Sequence, residues 1–341
     1  MSNYRKPVVL LLNVGSPDAP TPAALRRYLR TFLDDPRVVD LPTLIRKSLV
    51  HLLIVPFRSP RSAKLYARIW TEKGAPLLVH TAAQATGLAD RLGVPVVYAM
   101  RNGNPSIPDV VERMLADAVT DIVVIPMYPQ YASASSGTAI AEFYRALSEY
   151  EYVPSVRVVG PFFDDKAYLD ALAARIRAGL ERSTAEQLLF SYHGLPVRQL
   201  KSAAKTSGGN CWLADCCNTV HSGNHACYRA QCLATSRALA ERLPGVKCST
   251  TFQSRLKGAQ WMQPYTDETA VALARQGVRR LAVVCPSFIA DCLETASEIG
   301  IELRETFKHA GGEDLALIPC LNDDGAGLDA LAALARAELA R

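Results

Sequence analysis

The chain is short of charge and of aromatics. Charged residues make up 21% of its 341 residues and aromatics 7%, and the formal net charge is only +5. So weak a balance, without basic aromatic stripes or finger spacings, excludes nucleic acid as a partner and would at most draw anions or an anionic membrane surface. No uninterrupted apolar stretch reaches membrane-spanning length. No apolar segment follows a basic start as in a signal peptide, because residues 8–12 run straight into a turn. A cytoplasmic protein is the expectation, and there nine cysteines are not a disulfide framework. The length exceeds the size at which one core stops growing, so two domains are expected, 1–165 and 166–341.

What is present is a regular alternation. Apolar runs at 8–14, 94–100, 122–126 and 156–159 predict strands, with helical spacing at 21–33, 78–92, 109–116 and 138–148. The second half repeats this, with strands at 188–191, 248–252, 281–285 and 315–319 and helices at 166–180, 232–243, 266–276, 291–307 and 328–339. Such alternation marks an α/β protein of parallel sheets covered on both faces. The last helix is expected to pack back on the first domain. Residues 41–57 read as a partly buried helix leading to a basic loop at Arg58, Arg61 and Lys64. The other reading of 41–62 is a greasy lip beside a pocket or against a bilayer. The run 127–137, rich in hydroxyls and small side chains, suits a polar pocket loop, although such runs are also common turn material.

Three features carry chemistry. The strand exit Ser191-Tyr192-His193-Gly194-Leu195-Pro196 echoes Leu12-Asn13-Val14-Gly15-Ser16-Pro17, and it places a histidine where open parallel sheets gather ligands. His193 can take a proton near neutrality or ligate a metal, while the bland reading is a structural histidine. Asp291, Glu294 and Glu298 fall at i, i+3 and i+7, one face of a helix, where three like charges repel unless a cation or proton compensates. The bland reading is a solvated acidic face. The position after the strand-exit Pro286 favours a ladder that receives a divalent cation opposite His193. Finally, five cysteines (Cys211, Cys216, Cys217, Cys227 and Cys232) crowd a segment with little to pack a core around. Soft thiolates so grouped select zinc or an iron–sulfur cluster.

Ordered blocks then extend the pattern: Phe57-Arg58-Ser59-Pro60-Arg61, Tyr128-Pro129-Gln130-Tyr131, Thr251-Phe252-Gln253-Ser254-Arg255 and Asp291-Cys292-Leu293-Glu294-Thr295, beside the two strand exits. Together they make the chain similar to the protoporphyrin ferrochelatase family over nearly its whole length. The resemblance implies two similar Rossmann-like domains with the active cleft between them. It implies insertion of Fe2+ into protoporphyrin IX to form protoheme, the end of heme synthesis, with two protons released. His193 and Glu294 would be catalytic; His193, Glu294, Asp291 and Glu298 would handle the substrate iron; Asn13, Tyr128, Tyr131 and Ser254 would line the porphyrin pocket.

The chain departs from the family in two places. Met100-Arg101-Asn102 lacks the aromatic that often follows the arginine, and 206–232 looks like a cysteine-bearing insertion. This resembles a bacterial subgroup that holds a [2Fe-2S] cluster on internal cysteines, so four of the five would be ligands, with Cys232 the doubtful one. The lip implies peripheral contact with the inner face of the membrane. Three rivals stay open: a chelatase for another metal or tetrapyrrole, a non-enzymatic heme or iron–sulfur carrier, and a zinc-stabilised loop.

Overall fold

The computed structural model describes residues 5–206, 208, 209, 211, 215–256 and 259–341; part of the expected insertion, at 207, 210 and 212–214, lies outside the described residues. The chain divides into two compact units. One holds Met1–Tyr128, Ser133–Gly160 and Leu328–Arg341, the other Pro129–Ala132 and Pro161–Gly327.

In the first unit β1 (Pro7–Asn13), β2 (Val96–Met100), β3 (Asp121–Pro126) and β4 (Ser155–Val158) form a parallel sheet in the order β2-β1-β3-β4. The central strand is one apolar run because helices cover both its faces. Val8, Leu10 and Leu12 pack with Ile122 and Val124 against Val110 and Met114 of helix Ile107–Ala116 and Phe143 and Leu147 of helix Thr138–Leu147. Fully burying a side chain such as Phe143 contributes about 1.5–3 kcal/mol. Helix starts follow their caps: Thr21 accepts from the Ala24 N–H at 3.4 Å and Ser106 from the Asp109 N–H at 3.3 Å. The closing helix Gly325–Leu339 joins this unit from Leu328 onward, where Arg91 Nε donates to Asp329 at 2.7 Å.

The second unit repeats the plan. β5 (Gln187–His193), β6 (Cys248–Gln253), β7 (Arg280–Val284) and β8 (Asp314–Ile318) are parallel in the order β6-β5-β7-β8. Leu189, Leu281, Val283 and Leu315 share a core with Ile299, Leu303 and Phe307. In both sheets the first strand stands between the second and third, so the chain reverses direction across the sheet beside it. A crevice opens at such a switch point, outside the carboxyl ends of the strands. In the second unit those ends deliver His193 and the segment after β7.

Two expected elements differ. Residues 41–57 are not one helix, and the basic residues that follow are not a loop. Helix Thr43–Ser48 runs into a π-helical turn, Leu49–Ile54, and then into helix Val55–Ile69, which carries Arg58, Arg61 and Lys64. Pro56 sits in the first turn of that helix, directly after Val55, whose N–H still bonds back to the Val50 carbonyl of the π-helical turn. Val50, Val55, Ala63 and Tyr66 face inward, whereas Leu44, Leu52 and Phe57 are 82%, 71% and 78% exposed. Residues 291–307 are likewise not one α-helix. Cys292 is extended (φ −144°, ψ −169°), Leu293–Leu303 winds as a π-helix, and only Arg304–His309 is α-helical. Helix Val197–Thr206 was not anticipated, and helix Tyr228–Glu241 begins four residues before the expected start at 232.

The β1 exit has no room for a side chain. Gly15 has φ +95°, and a Cβ there would lie 1.7 Å from the Asn102 carbonyl oxygen. Gly15→Ala should therefore cost about 1–3 kcal/mol, read as a lower urea midpoint; an unchanged midpoint contradicts this close approach.

Candidate active site

The histidine is placed by its strand. Side chains alternate along β5, so Ser191 and His193 share one face and Tyr192 takes the other. Tyr192 is fully buried, packs on Phe252 with ring centroids 6.2 Å apart, and shares a 3.0 Å hydrogen bond with the Ser236 hydroxyl. His193 Nδ1 lies 2.7 Å from the Gly194 carbonyl oxygen. A carbonyl only accepts, so Nδ1 carries the proton and Nε2 keeps its lone pair. The turn is held on both sides. Gly194 N–H donates to the Gln253 carbonyl at 2.8 Å, and a Cβ at Gly194 would sit 2.8 Å from that same oxygen. Beyond it, Met262 N–H donates to the Leu195 carbonyl and Val197 N–H to the Gln260 carbonyl.

The acidic residues part company. Glu298 Oε1 accepts from the Ser254 N–H at 2.7 Å and Oε2 from the Ser254 hydroxyl at 2.6 Å. Ser254 adopts φ +65°, a left-handed conformation uncommon outside glycine, and so turns both donors onto one carboxylate. Burial pushes the Glu298 carboxyl up; the Ser254 hydroxyl and the positive charge His193 can carry pull it back, while the Glu294 carboxylate adds to the rise. Glu298 therefore lies within electrostatic reach of both His193 and Glu294. Asp291 stands outside the helical segment, so the expected i, i+3, i+7 face does not form. Its Oδ1 accepts from the Thr295 hydroxyl at 2.9 Å and the Cys320 N–H at 3.3 Å, and its Oδ2 from the Asn322 amide at 2.8 Å. That carboxylate pins Asn322, another left-handed residue at φ +53°.

The expected pocket residues are spread over both units. Asn13 and Tyr128 lie in the first, Tyr131 and Ser254 in the second. Asn13 is buried, with Nδ2 donating to Thr81 at 3.0 Å and Oδ1 accepting from the Val14 N–H at 2.9 Å. The Tyr128 hydroxyl is buried and finds no hydrogen-bond partner among the described residues, and that burial drives its phenol far above the ordinary value. Tyr131 N–H donates to Gln231 Oε1 at 2.6 Å. Ser254 spends both donors on Glu298. The residues that sequence reasoning passed over are Gln253 and Gln231. Both sat in view, in the Thr251–Arg255 block and four places after Cys227, but burial of an uncharged amide leaves no periodic signature.

The five loop cysteines do not form one constellation. Cys227 stands at the N-terminus of helix Tyr228–Glu241, directly before its first residue. A hydrogen bond from the Cys217 thiol holds Cys227 below the ordinary thiol value, helped by the helix N–H groups of Ala230 and Arg229 and opposed by burial. The same bond raises Cys217. Cys216 Sγ is 3.8 Å from Cys217 Sγ, and a charge on Cys211 acts on Cys227. Cys232 is wholly buried and bonded to the Tyr228 phenol, with its thiol pushed well up by burial. Asn224 braces the loop, donating to the Cys216 and Thr219 carbonyls at 2.6 and 2.8 Å. Among the described residues, no three or more His, Cys, Asp or Glu side chains are gathered closely enough to hold a metal ion.

The chain matches the Ferrochelatase family over residues 6–339. It is 46% identical over 330 residues to the ferrochelatase of Opitutus terrae, covering 95% of each chain. It is 40% identical over 348 residues to that of Coxiella burnetii, covering 99% of this chain and 96% of the relative. Among solved structures, SirB from Bacillus subtilis with Fe3+ aligns at a TM-score of 0.56 and 13% identity, over 97% of this chain and 94% of its own. The sirohydrochlorin chelatase SirB from Bacillus subtilis subspecies spizizenii in complex with cobalt aligns at 0.55 and 12% identity, with the same coverage. At such identity the structural likeness speaks for the fold alone.

The raised Glu298 carboxyl makes a stability prediction. Below the ordinary carboxylate pKa the folded and unfolded states both hold the proton; above Glu298's raised value the folded state carries a buried charge at a cost. Wild type should therefore lose stability relative to E298Q as pH rises through that window. The glutamine keeps both Ser254 bonds by accepting the N–H and donating to the hydroxyl. Melting temperatures from about pH 4 to pH 8 should show the E298Q advantage growing; a constant or shrinking difference contradicts the assigned cause.

Proposed function

The chain belongs to the ferrochelatase family, and from that premise we propose how its residues insert Fe2+ into protoporphyrin IX to form protoheme. The reaction is that of a metal chelatase of the lyase class. One Fe2+ enters, two pyrrole N–H protons leave, and no oxidation state changes, so the protein's task is to accept protons and present a divalent cation. His193 is the base. Its Nε2 lone pair, left free by the bond from Nδ1 to the Gly194 carbonyl, takes a pyrrole proton and forms an imidazolium. That geometry is the observation that carries the reading.

Glu294 and Glu298 answer the charge that then develops. A carboxylate beside His193 stabilises the imidazolium. A carboxyl held up by burial, as Glu298 is, also exchanges a proton more readily near neutrality than an ordinary one. With Glu298 fixed by Ser254, Glu294 is the freer of the pair and the better placed to meet Fe2+ as substrate. Asp291 acts at a remove, holding the start of the segment through Thr295 and Asn322. Asn13, Tyr128, Tyr131 and Ser254 are proposed to shape the porphyrin's surroundings through the backbone they hold as well as through direct contact.

The cysteine loop is assigned a [2Fe-2S] cluster on Cys211, Cys216, Cys217 and Cys227. Three observations speak for Cys216, Cys217 and Cys227: the Cys217–Cys227 bond, the adjacency of Cys216 and Cys217, and the depressed thiol of Cys227 at a helix N-terminus; Cys211 joins them as the loop cysteine whose charge reaches Cys227. Cys232 belongs instead to the core beside Tyr228. A bound cluster would order a segment that has a small apolar centre of its own, and insertion needs no step through it. The exposed Leu44, Leu52 and Phe57, with Arg58, Arg61 and Lys64 on the following helix, suit peripheral docking to an anionic membrane surface. Among the described residues, no helix is long and apolar enough to cross a membrane.

Two measurements test these assignments. H193A should lower kcat for anaerobic Fe2+ insertion by about 10²–10⁴-fold while melting cooperatively; full activity in H193A sinks the base assignment. Protein purified anaerobically should be coloured and carry iron and acid-labile sulfide in equal amounts. C232A should keep both and C227A lose both. Colourless protein containing zinc, or loss of the cluster in C232A, contradicts the ligand set.

A further inference from the structure

One buried side chain bridges the two halves of the candidate chemistry. Gln253 ends β6, paired in parallel register with His193 on β5, and is only 4% exposed. Its Oε1 accepts from the Ser191 hydroxyl at 2.6 Å and from the Cys285 thiol at 3.5 Å. Its Nε2 donates to the main-chain carbonyl of Glu294 at 2.8 Å. Its own carbonyl takes the Gly194 N–H at 2.8 Å, the bond that shapes the histidine turn. The main chain of Gln253 is thus tied to His193's turn and its side chain to Glu294's segment.

We propose that Gln253 is a positioning residue for metal insertion, its amide setting where Glu294 stands relative to His193. This rests on the reading of His193 and Glu294 as the reacting pair. The chemistry of the position calls for an amide. Ser191 and Cys285 present donors on one side and the Glu294 carbonyl presents an acceptor on the other, and an uncharged amide satisfies both at neutral pH. Ser191 stands two residues before His193 on the same strand face, so Oε1 is anchored to the strand that carries the base. Nε2 reaches the second residue of the π-helical segment and so ties to β6 a start that is otherwise held by its own Cys292–Thr295 capping box and by Asp291. Without the N–H, the part-buried Glu294 carbonyl loses the partner that ties it to β6, and the segment shifts to find another. Among the described residues, the Gln253 amide makes no hydrogen bond to the His193 ring or to the carboxylates of Glu294 and Glu298, so its loss leaves the reacting groups present and misplaced. Misplacement lowers the rate of the chemical step more than it weakens substrate binding.

The test is steady-state Fe2+ insertion by the full chain with Q253M, which matches glutamine in length but has no amide. Q253L serves as a second amide-free variant should Q253M fail to fold, and S191A removes one of the two donors to Oε1, together with the Ser191–Thr266 hydroxyl bond, while leaving the bond to Glu294. The expected result is a fall in kcat of about ten- to a hundredfold in the folded amide-free variant. KM for protoporphyrin should stay within about twofold, because a misplaced reacting group acts on the chemical step. S191A should lose less, because the bond to Glu294 survives. A folded amide-free variant with wild-type kcat overturns the proposal, as does a loss lying wholly in KM or an S191A loss as large as that of Q253M. H193A in the same assay separates the two levels. If H193A is active, the base assignment has failed; if H193A is inactive while Q253M is fully active, only the role of Gln253 has.

Discussion

The carboxylate of Glu298 is carried into the partly buried end of the second sheet, and the two hydrogen bonds from Ser254 make that tolerable. Left alone, a charge so placed would take up a proton or force the segment outward. The Ser254 N–H and hydroxyl instead converge on its two oxygens at 2.7 and 2.6 Å. Ser254 must adopt φ +65° to do this, a conformation that costs about 1 kcal/mol or more for a residue with a Cβ. Charge-assisted bonds of this length, roughly twice as strong as neutral ones, offset that cost. Because Ser254 directly follows the edge strand β6, the clamp also fixes the strand end that meets the histidine turn. His193, Gly194, Gln253, Ser254, Glu294 and Glu298 therefore form one connected group.

The repeated architecture makes the asymmetry between the units informative. Both sheets place the first strand at the switch point, and both first strands leave through a glycine–proline turn. At the matching strand ends stand Asn13 and His193. The amide of Asn13 is spent locally, on Thr81 and on the Val14 N–H. The ring of His193 spends one nitrogen on its neighbour's carbonyl and keeps the other. In each unit the third strand leads into a π-helical segment, Ser133–Gly137 in one and Leu293–Leu303 in the other, but only the second carries acids. The matching strand end thus spends its polar side chain locally in one unit and keeps a ring nitrogen in the other, and the difference lies in a few side chains.

Much of this was legible in the residues because it depends on period. The inner strands β1, β3, β5 and β7 are largely apolar runs buried on both faces, and the alternation with helices dictated parallel pairing. His193 stood out because a strand, a glycine and a proline bracket it. The acidic ladder was half legible. Spacing of i, i+3 and i+7 assumes an α-helix throughout, whereas Cys292 is extended and the segment beyond it is wound more widely, which takes Asp291 off the face of Glu294. The helix Val55–Ile69, expected as a basic loop after Phe57, carries prolines at 56 and 60, and only its packing through Ala63 and Tyr66 reveals it. The parting of Cys232 from the other loop cysteines depends on which way a buried helix face points, and spacing alone does not say so. Gln253 and Ser254 were visible as letters, but their work is done by hydrogen bonds between distant segments.

The central claim is that His193 presents a lone pair at Nε2 to a pyrrole proton while its Nδ1–H is held by the Gly194 carbonyl. Nitrogen-15 NMR of histidine-labelled protein above the imidazole pKa, with the His193 signals identified by their absence in H193A, reads the tautomer directly. The account predicts a protonated Nδ1 and an unprotonated Nε2. A proton found on Nε2 in the resting protein would contradict it.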